Sequence, residues 1–208
     1  MNLNELKRAY QDKRPVLEDL AQRARRHLQR RIQQKRIKVH SLHHRIKELD
    51  SLREKAKRQR IDNPLRDVRD LVGLRVVCLF RSDVPKILGI VRESFDVIEE
   101  EDKEDKSEKR TFDYMAVHVI AKMKPDHAGP RQTAGPRIPF EIQVRTIGQD
   151  AWASVSHHLA YKPETSFPPD HFRDLYALNA LFYLADTHFE FLKAACAQSL
   201  ACKSTEAP

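Results

Sequence analysis

The sequence predicts an α+β domain, and changes of hydrophobic rhythm along the chain predict it. Near the N-terminus Leu17, Leu20, Ala24, Leu28 and Ile32 recur every three or four residues, the spacing of one helical stripe. In the middle the rhythm shortens. Residues 74–80 (LRVVCLF) form a continuous apolar run, as a strand buried on both faces requires, and residues 140–146 (FEIQVRT) alternate strictly. A helical rhythm then returns in Leu175, Leu178, Phe182, Ala185, Phe189 and Leu192. A chain of 208 residues, 40% hydrophobic, can bury one sizeable core.

Taken in order, residues 4 to about 60 read as two helices. The first carries the stripe above, with Pro15 expected at a break or first turn. The second spans about 39–58, with Leu42, Ile46, Leu49 and Leu52 on one side. The buried strand at 74–80 is followed by a helix at 84–94 and a short strand at 95–100. The acidic run 99–109 (EEEDKEDKSEK) is expected to be an exposed loop. A strand at 115–123, a loop rich in Pro and Gly at 125–139 and the alternating strand at 140–146 follow. A helix covers 147–161, and Pro163, Pro168 and Pro169 punctuate a loop. The last stripe reads as core packing or a dimer seam. The order strand, helix, strand, strand, strand is that of an α+β sheet.

Composition excludes several classes. No apolar run approaches the roughly 18 residues of a membrane span. The first residues, MNLNELKRAY, lack the apolar segment of a secretory signal. Cys78, Cys196 and Cys202 are too few and too scattered for a disulfide framework or zinc site, so a reducing cytoplasm is the expected location, with Cys78 buried. The formal charge of +8 is concentrated: residues 23–60 hold fifteen Lys and Arg against three acids. Such a block suits phosphate-bearing partners, or is a solvated helical face.

Four constellations could carry chemistry. The polar side of the 140–146 strand aligns an acid, an amide and a base in Glu141, Gln143 and Arg145. Asp70 precedes the buried strand, and with Glu141 it would offer hard oxygens to Mg²⁺; alternatively both carboxylates pair with Arg69, Arg75 or Arg145. Arg36 and Lys38 flank an expected helix start at Ser41, an arrangement that favours a phosphate; the chain has no GxxxxGK[ST] and only five glycines. Tyr114, at the mouth of a strand, could stack a base or simply pack. His118, His157 and His158 sit in no HExxH, and no GxSxG is present, so zinc and serine-hydrolase chemistry find no support.

Together these segments resemble the synthetase domain of the RelA/SpoT family, enzymes that make the alarmone (p)ppGpp. RIKVHSLHHR (36–45) is similar to the family's R-x-K-x(3–4)-S-x(3)-K element, and RDLVGLRVV (69–77) to its D-[IL]-x-G-[IL]-R-[VI] entry. DYMAVH (113–118) is similar to G-Y-R-[SA]-x-H. EIQVRT…AWASVSHHLAYK (141–162) is similar to E-[IV]-Q-[IVL]-R-T…W-A-x(3)-H…Y-K. The four blocks occur in order.

The resemblance implies a mixed, roughly five-stranded nucleotidyltransferase-like sheet flanked by helices. It divides the chain into an N-terminal helical extension (1–35), a synthetase core (36–162) and a C-terminal helix and tail (163–208). It implies pyrophosphoryl transfer from ATP to the 3′-hydroxyl of GDP or GTP. Asp70 and Glu141 would hold Mg²⁺, and Glu141 would orient or deprotonate the attacking hydroxyl. Arg36 and Arg75 would sandwich the adenine, and Lys38, Ser41 and Arg45 would face the ATP phosphates. Tyr114 would stack on the acceptor guanine, Asp150 would accept from its edge, and Arg110, His118, Gln143, Arg145 and His157 would line the acceptor side. Family relatives are often homo-oligomers.

Asp113 and Met115 depart from the family's Gly and Arg, Ala116 from a common Ser, Ser156 from a common Glu, and Arg45 from Lys. These departures bear on acceptor choice more than on ATP. Two other readings stay open: a toxic relative that pyrophosphorylates the tRNA 3′ end or makes the adenosine analogue, paired with an antitoxin protein, and a non-enzymatic basic module that binds RNA.

Overall fold

The computed structural model describes residues 3–102, 116–127, 137–160 and 168–205. Helix α1 (Leu3–Gln34) has 32 residues. Its predicted stripe, Leu17, Leu20, Ala24, Leu28 and Ile32, is buried, and Tyr10 and Ala21 join it. Pro15 neither breaks nor starts the helix, as the sequence had suggested; it lies inside α1, between the buried Tyr10 and Leu17 that anchor the helix on both sides. Two backbone bonds close the helix, from the amide of Ile37 to the carbonyl of Ile32 and from that of Arg36 to Gln33. Arg36 there has φ 55°, a left-handed position that favours glycine.

The main departure from the sequence reading follows. Residues 39–46 are not the start of a second helix but strand β1 (Val39–Ile46); only α2 (Leu49–Gln59) is helical. Ser41 is therefore a strand residue, and it offers no helix N-terminus to a phosphate. The short helix α3 (Pro64–Asp67) leads into β2 (Val72–Cys78), buried on both faces as predicted. Helix α4 (Val84–Ser94), β3 (Phe95–Asp102), β4 (Val117–Met123) and β5 (Phe140–Thr146) come next. Part of the acidic run, Glu99 to Asp102, is thus strand rather than loop. Helices α5 (Ile147–Ala160) and α6 (Phe172–Thr205) complete the chain.

The five strands form one mixed sheet in the order β1-β2-β5-β4-β3. β2 and β5 are parallel; the other three pairings are antiparallel. One face is dry: Leu74, Val76, Phe140, Ile142, Val144, Val119 and Ala121 pack with α1 and α4 in a single core. Cys78 is buried there, and burial, with Asp83 nearby, pushes its thiol up to about 12. The other face carries the site.

The turn from β5 into α5 is closed by a reciprocal cap. The Thr146 amide donates to Gln149 Oε1 at 2.9 Å, and the Gln149 amide donates to Thr146 Oγ1 at 3.1 Å. From α6 the buried Asp186 accepts from Thr146 Oγ1 and from the Gly148 amide, which ties α6 to this turn. A side chain at Gly148 would place its Cβ 2.6 Å from Asp186 Oδ2, so this position excludes one. The stripe on α6 is not core along its length: Leu175 is buried, but Leu178, Phe189 and Leu192 are exposed in the monomer.

Candidate active site

Alternation along paired strands sets the site out in rows. In one row Arg45, Gly73, Glu141 and Ile120 are register neighbours; in the next, His43, Arg75, Gln143 and His118. The polar side of FEIQVRT is almost as buried as the apolar side: Gln143 is 8% exposed and Arg145 5%. Polar groups at that depth must find partners, and here they find each other.

Glu141 is held at both oxygens. His118 Nδ1 lies 2.8 Å from Oε1, and Gln143 Nε2 donates to Oε2 at 2.8 Å. The Gln143 carbonyl oxygen accepts from Arg145, which fixes the amide in one orientation. Arg145 and Arg75 both donate to Asp150 Oδ1, at 3.4 and 3.2 Å. One chain of bonds therefore runs from His118 through Glu141, Gln143, Arg145 and Asp150 to Arg75. Burial alone would raise the Glu141 pKa; the His118 bond and charge, the Gln143 bond and the Arg45 charge outweigh it and hold the carboxyl down at about 2. Burial, then the charge of Arg75, lowers Arg145 to about 10, against the pull of Asp150 and Glu141. Both groups stay charged at neutral pH.

Asp70 enters the same cleft from the loop before β2. A hollow of about 360 Å³ is lined by Asp70, Glu141, His118, Lys55, Glu99 and Glu101. A smaller hollow of about 200 Å³ lies over Gly73, the register neighbour of Glu141, and is bordered by His43, Arg45, Arg75 and Gln143. A larger cleft of about 740 Å³ lies between the start of α1 and α2, but among the described residues no such network converges on it.

The carboxylates do not pair with Arg69, Arg75 or Arg145 as one reading of the sequence had it. Asp70 is held by Lys47 at 3.0 Å and Lys55 at 2.9 Å, while Arg69 pairs with Glu99. Asp150, whose expected role is to meet a guanine edge, pairs with Arg75 and Arg145. His118, expected on the acceptor side, lines the cleft and bonds the carboxylate of Glu141. Arg36 and Lys38 are exposed between α1 and β1, and Ser41 and Arg45 belong to β1. The side chains of Arg36, Lys38 and Arg45 make no hydrogen bond or ion pair among the described residues. Arg110 and Tyr114 lie outside the described residues, and so does the side chain of His157, whose backbone is in α5.

The donor set fits magnesium. Asp70 Oδ1 is buried and accepts no aligned hydrogen bond, although an ammonium lies beside it. Two carboxylates from neighbouring elements share the cleft, and among the described residues no three His, Cys, Asp or Glu side chains gather into a protein-only cage. One or two carboxylates completed by substrate oxygens is how Mg²⁺ is usually bound.

Sequence reasoning missed Lys47 and Lys55, which nothing distinguishes within a block of fifteen cations. It also passed over the Thr146–Gln149 cap, although the spacing T-x-x-Q was there to read.

Comparison with known proteins bears on the fold and the family. GTP pyrophosphokinase YjbM of Bacillus subtilis (strain 168) is 30% identical over 131 residues, 60% of this chain and 57% of that protein. The chain thus matches a little under three fifths of that relative's length. The structure of a GTP pyrophosphokinase family protein from Streptococcus pneumoniae superposes with a TM-score of 0.74 at 23% identity, covering 97% of this chain and 98% of that one. The small alarmone synthetase 1 of Bacillus subtilis bound to its product pppGpp does so with a TM-score of 0.71 at 21% identity, covering 92% and 97%. At such identities the structural likeness speaks for the fold. The family description "Region found in RelA / SpoT proteins" matches residues 44–166, more than half of the chain and all of its carboxylate cleft. The chain belongs to the RelA/SpoT family.

Proposed function

We propose that the protein is an ATP-dependent pyrophosphokinase that transfers the β,γ-pyrophosphoryl group of ATP to the 3′-hydroxyl of GDP or GTP, making (p)ppGpp. The observation that carries this reading is an ionised, doubly hydrogen-bonded Glu141 facing the same cleft as Asp70. The relatives named as GTP pyrophosphokinases and the product-bound small alarmone synthetase support the same reaction.

Such a transfer asks little covalent chemistry of a protein; positioning and charge stabilisation do most of it. Asp70 and Glu141 would hold Mg²⁺, which neutralises charge on the transferred group. In this reading Arg36, Lys38 and Arg45, which have no ion-pair partner among the described residues, would meet the adenine and phosphates of the donor, with Ser41 beside them. Arg75, braced by Asp150, presents a guanidinium face for stacking. Tyr114, Arg110 and His157 belong to the acceptor side of this reading.

A carboxylate held near 2 is a poor proton acceptor. We therefore assign Glu141 to orienting the 3′-hydroxyl rather than deprotonating it early, in keeping with the loose transition state of phosphoryl transfer. Incubation with γ-labelled ATP, Mg²⁺ and GDP, GTP, ADP or deacylated tRNA in turn tests the function. Label on a guanine nucleotide is expected. Label on ADP or tRNA alone would replace the acceptor, and no label on any of them would overturn the enzyme.

A further inference from the structure

Asp70 differs from Glu141 in the kind of partner it has. Glu141 is held by groups that leave it a fixed carboxylate in the cleft. Asp70 lies between two ammonium groups, Lys47 Nζ at 3.0 Å from Oδ2 and Lys55 Nζ at 2.9 Å from Oδ1. All three side chains are largely shielded from water, at 13% exposure for Lys47, 25% for Lys55 and 12% for Asp70. Glu99, Glu101 and Glu141 line the same hollow, but both oxygens of Asp70 are taken by ammonium ions, and a divalent cation that is to bind Asp70 must displace one of them.

The two lysines are not equivalent. Lys47 closes β1: its amide donates to the Leu71 carbonyl at 2.8 Å, and its carbonyl accepts from the Tyr10 hydroxyl at 3.0 Å. Lys55 rises from α2 and lines the cleft itself, along with Asp70, Glu99 and Glu141. Its ammonium sits at 2.9 Å from Asp70 Oδ1, yet that oxygen accepts no aligned hydrogen bond. Lys55 is held there by charge, on a long, flexible stem whose end is free to move to a stronger anion in the same cleft.

Resting on the pyrophosphokinase reading, we propose that Lys55 is a displaceable counter-ion of Asp70. It keeps the metal position of the nucleotide-free protein closed, and it moves onto the phosphate oxygens of an incoming nucleoside triphosphate, so that Asp70 is released to a divalent cation only when nucleotide is present. Lys55 is a positioning residue in this scheme, and it couples the order of loading to the charge of the donor.

The test is direct metal binding, read without turnover. Mn²⁺ is titrated into nucleotide-free protein and followed by electron paramagnetic resonance. Lys55→Met keeps the stem and removes the charge. Repulsion of a divalent ion by one unit charge about 5 Å away is sufficient, even at the dielectric constant of water, to alter affinity by about tenfold. Lys55→Met is therefore expected to bind Mn²⁺ about tenfold more tightly than the wild type, and Lys55→Arg within about twofold of it. Adding Asp70→Asn to Lys55→Met is expected to remove the gain. With a non-hydrolysable ATP analogue present, the wild type and Lys55→Met are expected to converge to within about twofold.

Equal affinity of wild type and Lys55→Met without nucleotide overturns the inference, as does a gain that survives Asp70→Asn or a gap that persists with the analogue. Lys55→Gln repeats the measurement should Lys55→Met fail to give a cooperative melt. The function is judged separately: transfer to GDP by the wild type with no change in Mn²⁺ affinity overturns the counter-ion alone. Absence of transfer with the Asp70-dependent gain intact overturns the pyrophosphokinase reading alone.

Discussion

The two faces of β5 are built from alternate residues of one seven-residue strand, and burial hardly distinguishes them. Phe140, Ile142 and Val144 are at 0% exposure, while Gln143 and Arg145 are at 8% and 5%. The apolar face is held by packing, which is non-directional and has no further use for the groups it buries. The polar face is held by a chain of directional bonds from His118 to Arg75 that keeps charged groups ready under a thin cover of solvent. Burial therefore does not mean the same thing on both sides. On one it specifies the fold; on the other it fixes side-chain positions, which is what transfer chemistry needs.

Two neighbouring residues separate these roles. Glu141→Gln removes the charge but keeps the shape. Pyrophosphoryl transfer should fall by about a hundred- to a thousandfold, the effect of losing a charge that positions the reacting groups, while the melting transition remains cooperative. Ile142→Ala should do the reverse. It opens a cavity in a site at 0% exposure and should cost about 2–5 kcal/mol in urea unfolding. Turnover per folded molecule should stay near that of the wild type. If Ile142→Ala instead depressed turnover of the folded fraction as strongly as Glu141→Gln, the division between the faces would fail.

The same division explains what could be read in the sequence. β2 was legible as an unbroken apolar run, β5 by its strict alternation, and α4 because its rhythm is undisturbed. β1 was not. Val39, Leu42 and Ile46 stand three and four apart and all pack against the core, which mimics a helix. The cause is a register shift between Val39 and Ser41, which brings an odd-numbered residue onto the face of the even-numbered ones. β1 is also an edge strand, so its outer positions carry no apolar signal. At the site, Asp70 and Glu141 were found from their places before the buried strand and on the polar side of the alternating one. Their partners were not, because Lys47 and Lys55 are ordinary lysines in a basic stretch and the link from Asp150 to Arg75 spans 75 residues.

Acid sharpens the contrast, since protonation reaches only the polar face. The Glu141 pKa is held at about 2, below the ordinary value near 4.3. A carboxyl depressed on folding contributes stability that is fully present above its unfolded pKa and is lost as pH falls through the folded one. The window here runs from about pH 5 down to about 2, and the contribution is at most about 3 kcal/mol. Urea midpoints of wild type and Glu141→Gln, measured between pH 7 and 3, should therefore approach each other below about pH 4. Parallel curves would mean that His118 and Gln143 do not favour the ionised form as the geometry requires.

The smallest effect is expected at Gly73, the one position in the Glu141 row with no side chain. Its backbone is not left-handed, so alanine is not strained there. A Cβ would meet Arg45 Cγ and Nε at 3.5 Å, an ordinary contact. Glycine within a strand is also the weaker choice by about 0.5–1 kcal/mol, from its greater freedom in the unfolded chain. Gly73→Ala should thus be neutral or slightly stabilising, and affinity for a non-hydrolysable ATP analogue should change by less than about threefold as the Arg45 stem adjusts. This outcome would show that the donor side tolerates small changes in its floor, unlike the dense apolar face behind it, where even one methylene is felt. Loss of analogue binding by Gly73→Ala, with the fold intact, would mean instead that nucleotide lies directly on the β2 backbone and that the polar face is packed as closely as the core.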